Sequence, residues 1–114
     1  MQLQTEEIAG VVTKISLTGR LDIAGAQAID LRFSALTGAK RAIVVDLSAV
    51  SFIASMGLRT LIMGAKTVLA KSGRMVLLAP TADVEKVLAD SGTSTILPIY
   101  KDLSAAVQAV GGTL

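Results

Sequence analysis

Ser55 is the residue whose type and place most invite chemistry. It stands in the stretch Asp46-Leu47-Ser48-Ala49-Val50-Ser51-Phe52-Ile53-Ala54-Ser55-Met56-Gly57-Leu58. An apolar strand is read up to Asp46, a short loop follows, and a helix begins at Ser55. A serine at a helix start has two chemistries open to it. Its hydroxyl can accept a first-turn backbone N–H, an N-cap worth about 1 kcal/mol. It can also carry a phosphate, because the positive end of the helix dipole and the free N–H groups favour an anion there. Asp22 and Asp46 are read at strand ends near the same loop, where aspartate also serves as a turn residue by bonding its own backbone. Ser48 and Ser51 are read as loop residues, with Ser48 able to bond loop backbone.

Other chemistries are excluded by residue type. The chain has no His and no Cys, so it offers no Cys nucleophile, His general base, disulfide or His-ligated metal. It shows no paired catalytic carboxylates, and no base near Ser55 in sequence that would make that hydroxyl a nucleophile. Neither Gly-x-x-x-x-Gly-Lys nor Gly-x-Gly-x-x-Gly occurs. These absences predict a protein that is not an enzyme and uses no cofactor. Aromatic residues are 3% of the chain, and its 11 basic and 9 acidic residues give a net charge of +2 without a basic block. Nucleic-acid binding is therefore not expected.

The elements that would position Ser55 follow from periodicity. Leu3 to Thr5 and Val11 to Thr18 read as strands joined at Ala9-Gly10, the second alternating with period two until Gly19 interrupts it. Ala24 to Leu36 reads as a helix with Ala26, Ile29, Phe33 and Leu36 on one stripe, closed by Thr37-Gly38. Arg41 to Leu47 and Arg74 to Ala79 carry continuous apolar runs, as strands buried on both faces do. Between them Met56 to Ala70 reads as a helix with Leu58, Leu61, Ile62, Ala65, Val68 and Leu69 on its core side. Ala82 to Asp90 is a shorter helix, Ile96 to Tyr100 a brief strand containing Pro98, and Leu103 to Val110 a last helix. This order predicts an α/β fold with a mixed sheet of about four to five strands and about four helices.

On the Met56–Ala70 helix, Met56 and Met63 are seven residues apart and share a face with Arg59, Thr60, Lys66 and Thr67, away from the core stripe. Methionines on a mostly polar face suit an adaptable contact surface. With 114 residues, 52% of them hydrophobic, the chain is expected to form one domain over 1–114. The polar, acidic start is not a signal peptide, and no apolar run approaches the roughly 18 residues of a membrane span. A cytoplasmic location without membrane insertion is the expectation.

The stretch around Ser55 resembles the STAS domain, in particular the single-domain bacterial anti-sigma factor antagonists, whose pattern is roughly Asp-Leu-Ser-x-Val-x-Phe-Ile-Asp-Ser-x-Gly-Leu. The upstream family piece Leu-x-Gly-Glu-Leu-Asp is matched by Leu17-Thr18-Gly19-Arg20-Leu21-Asp22. The resemblance extends over nearly the whole chain. It implies a STAS-like fold and a protein–protein switch: binding to an anti-sigma factor that is also a serine kinase, phosphorylation at Ser55, release, and resetting by a phosphatase, with a weak homodimer also open. It further implies that Asp22, Asp46, Ala54, Met56 and Gly57 surround the phosphosite; the helix face read from spacing, with Met56, Arg59, Thr60 and Met63, is expected to meet the partner. Three positions depart from the pattern: Ala54 replaces the usual Asp, Met56 a small polar residue, and Arg20 a common acidic one. An alternative within the same family is a STAS subunit of a transport machine, of the kind that accompanies lipid-transport ATP-binding subunits.

Overall fold

A five-stranded sheet with four α-helices organises the computed structural model, which describes residues 1–112. In chain order the elements are β1 (Gln2–Ile8), β2 (Val12–Leu21), α1 (Ile23–Ala39), β3 (Ala42–Ile53), α2 (Ser55–Ala70), β4 (Arg74–Leu78), α3 (Ala82–Asp90), a 3-10 turn (Thr93–Thr95), β5 (Ile99–Tyr100) and α4 (Leu103–Ala109). The strands lie side by side in the order β1-β2-β3-β4-β5. β1 is antiparallel to β2, and the other three pairings are parallel.

Both faces of the sheet are covered, as the continuous apolar runs require. On one face Ile15, Leu17, Ile43, Val45 and Leu77 pack with Ala26, Ile29 and Phe33 of α1, Leu61, Ala65 and Val68 of α2, and Val84 and Leu88 of α3. On the other, Val12, Val44, Val76 and Leu78 pack with Ala106, Val107 and Val110 at α4. The α1–α2 packing is close because Gly64 carries no side chain: a Cβ there would stand 2.6 Å from the Phe33 ring.

β1 is longer than the sequence reading of Leu3 to Thr5, running Gln2–Ile8, and four further differences bear on the positions of later elements. β2 does not stop at Gly19 but runs through it, at φ +116°, to Leu21. α1 does not close at Thr37-Gly38; Thr37 is buried in it, and it ends at Ala39 with the Lys40 N–H bonded to the Leu36 carbonyl. The brief strand is only Ile99–Tyr100, because Thr93–Thr95 coils into a 3-10 turn that drops Leu97 into the core. The largest difference is β3. The supposed loop after Asp46 is strand as far as Ile53, so Ser48 and Ser51 are strand residues. The pairing of β2 with β3 shifts register between Ser16 and Thr18 and again between Gly19 and Arg20. Such irregularities break period two, and the buried residues here are Leu47, Val50 and Ile53, three apart.

Candidate functional site

Two helices start side by side from two paired strands. Leu21 and Ile53 are partners at the ends of β2 and β3. The next residue in each, Asp22 and Ala54, is an extended N-cap, with φ −101° and −124°. The Ala54 N–H donates to the Leu21 carbonyl at 3.1 Å and ties the two ends together. Each cap is followed three residues later by a buried glycine, Gly25 in α1 and Gly57 in α2. A Cβ on Gly25 would overlap the Arg20 carbonyl oxygen, and one on Gly57 the Leu21 carbonyl oxygen. The end of β2 is thus the seat on which both helix starts rest.

The two caps differ chemically. Asp22 Oδ1 accepts the Gly25 N–H at 2.9 Å, and Oδ2 lies 3.3 Å from Arg20 Nε. The Gly25 hydrogen bond, helped by Arg20, holds the Asp22 carboxyl below its ordinary pKa. Ala54 has no side chain to do the same, and no side chain caps α2. Ser55 is not the cap foreseen from sequence. It is the first residue of α2 and is exposed. Met56 and Gly57 occupy the next two positions, whose N–H groups point out of a helix start and lack partners within the helix.

Asp46 lies elsewhere. It is within β3, opposite Ser16 and Leu78, and seven residues before the strand ends, about 20 Å at the rise of a strand. Its Oδ2 is 3.6 Å from Lys14 Nζ, and its Oδ1 accepts the Ser48 N–H at 2.9 Å. It is therefore not among the surroundings of Ser55; the end of β3, which replaces the supposed loop, moves it away.

The outer face of α2 is where the spacing put it. Met56 is 39% and Met63 53% exposed, Arg59 is exposed, and Thr60 is partly so. The Thr60 and Thr67 hydroxyls donate to the Met56 and Met63 carbonyls, both at 3.0 Å. Of the residues assigned to the core stripe, Leu61, Ala65 and Val68 are buried, Leu58 and Ile62 half-buried, but Leu69 is 54% exposed. Gly57 and Gly64 take its place against the body of the fold.

Two features escaped the sequence. α1 supplies the second wall of a groove of about 300 Å³ in which Asp30, Phe33 and Ser34 face Met56, Arg59 and Met63. The signal was the flank of the α1 stripe, one position from Ile29 and Phe33. The Arg20 guanidinium also lies 4.3 Å from the centre of the Phe52 ring; reading 47–54 as a loop hid that pairing. Among the described residues, no three His, Cys, Asp or Glu groups gather as a metal site, and no helix is long and apolar enough to cross a membrane.

Residues 2–106 match the model of the STAS domain. BtrV of Bordetella bronchiseptica, provisionally named an anti-sigma factor antagonist, is 29% identical over 110 residues, which are 96% of this chain and 94% of that protein. An anti-sigma factor antagonist from Mycobacterium paratuberculosis shares the fold with a TM-score of 0.86 and 26% identity, over 96% of this chain and 92% of that one. The antagonist SpoIIAA in its unphosphorylated form aligns with a TM-score of 0.79 and 25% identity, over 99% and 100% of the two chains.

Proposed function

Because the chain belongs to the STAS domain family, we propose that it acts as an anti-sigma factor antagonist, a regulatory module that binds an anti-sigma serine kinase and is released when Ser55 is phosphorylated. In this reading it works in the cytoplasm without a catalytic step or cofactor of its own, and a phosphatase restores the binding form. The observation that carries the reading is the position of Ser55: exposed, first in α2, and next in sequence to Met56, which lines the α1–α2 groove.

The chemistry of a switch follows from that position. A phosphate brings a charge of about −1.5 to −2 and three acceptor oxygens. At the first turn of a helix it meets N–H groups and the positive end of the dipole, so the fold itself tolerates it. A partner packed over Met56 does not, since the dianion must lose its water against an apolar surface. Asp22, beside the same strand ends, adds like charge near the phosphate, while Arg20 offsets it.

The test is phosphorylation by the cognate anti-sigma kinase, located by mass spectrometry. Wild-type protein is expected to take one phosphate at Ser55 and to lose kinase binding as it does so. Ser55→Ala is expected to fold, to bind the kinase, and to accept no label. Equal labelling of wild type and Ser55→Ala would remove Ser55 from the mechanism.

A further inference from the structure

Charge along this chain is unevenly distributed. All nine acidic residues lie outside residues 47–82, while Arg59, Lys66, Lys71 and Arg74 lie within. Arg59 and Lys66 sit on the outer face of α2, in the line Met56, Arg59, Met63, Lys66, and all four are exposed. Steps of three, four and three residues keep them on one stripe of a helix. Among the described residues, Lys14, Arg20, Lys40, Lys86 and Lys101 are in ion pairs, and Arg59 and Lys66 are in none. The stripe thus alternates apolar sulfur and free positive charge along about 15 Å, three helical turns. It borders the groove floored by Phe33 and Gly64, whose other wall bears Asp30 and Ser34.

We propose that this groove takes an amphipathic helix of a partner protein, with an apolar ridge on Met56 and Met63 and an acidic edge along Arg59 and Lys66. A helix lying in a groove presents its apolar residues at the same three-and-four spacing. Methionine side chains adapt to such a ridge. The cationic edge fixes which way round the helix lies, since an acidic edge over α2 meets two unpaired cations and the reverse orientation sets it against Asp30. The inference rests on the antagonist reading and names the chemistry that its partner must display.

Two designed 16-residue helical peptides test it on the isotopically labelled full chain. They share one leucine ridge; one carries glutamates on its flanks, the other lysines. The glutamate peptide is expected to shift the amide resonances of Met56, Arg59, Met63 and Lys66 and to bind at least tenfold more tightly than the lysine peptide. The double variant Arg59→Glu, Lys66→Glu, with an otherwise unchanged spectrum, is expected to invert that preference. Equal binding of the two peptides, shifts on another face, or a preference that survives the charge reversal overturns the proposal. So does a face that ignores both peptides but binds phosphatidylglycerol vesicles or a second copy of the chain. The assay contains no kinase and no phosphate. A failure of Ser55 labelling therefore removes the switch and leaves the groove, whereas a failure of the peptides removes the groove and leaves the switch.

Discussion

Ala54 and Asp22 occupy equivalent places with unequal chemistry, and this makes the molecule its own control. Both are extended caps at paired strand ends, each three residues before a buried glycine. The α1 start has a carboxylate on its N–H groups and the α2 start has none. Ala54→Asp should reproduce the Asp22 geometry and stabilise the fold by about 1 kcal/mol, raising Tm by about 4 °C in calorimetry; an unchanged Tm would mean the α2 start is already satisfied. Since Ser55 does not cap the helix, Ser55→Ala should change stability by no more than about 0.5 kcal/mol. Gly57→Ala should cost about 1–3 kcal/mol in denaturant titration, because its methyl would enter the space of the Leu21 carbonyl. The lowered Asp22 pKa also has a pH consequence. A depressed carboxyl contributes stability above its ordinary pKa and loses it as pH falls through the depressed value. Between about pH 5 and 2, wild type should therefore lose more Tm than Asp22→Asn, which keeps a capping side chain without the titrating charge.

At the level of elements, α2 is a wedge with one buried edge and one open one. Met56→Lys and Met63→Lys fall on the open edge and should leave Tm near normal while abolishing capture by the anti-sigma kinase. Leu61→Lys falls on the buried edge, at 0% exposure, and should unfold the domain. Early melting of the methionine variants would instead make that edge structural. α2 was legible because its apolar residues repeat at helical spacing, and Leu69 was misassigned because the stripe drifts and glycines fill its place. The apolar runs of β3 and β4 announced buried strands just as plainly. The second half of β3 did not, since its register shifts destroy alternation, and with it went the true place of Asp46 and the Arg20–Phe52 stack. The candidate site was half readable: Ser55 and the α2 face from spacing, but not the α1 wall, which only tertiary packing brings alongside.

At the level of the molecule, its two open edges are treated differently. β5 is two residues long and offers little to pair with, and β1 carries Gln2, Gln4, Thr5, Glu6 and Glu7 along an exposed strand, a polar, charged margin of the kind that discourages edge-to-edge association. Between these margins, spatial order repeats chain order without exception: every strand lies beside the one that precedes it in sequence. Sheets whose order reverses must leave a gap or an unfinished flank for a later strand to fill. Here nothing is inserted between elements already in place. During synthesis, which proceeds from the N-terminus, each strand can dock on an edge that is already made. Ser55, Asp22 and both walls of the groove are encoded by residue 67, so the proposed contact surface and the strands that seat it are written first, while β4, α3, β5 and α4 are still to be added.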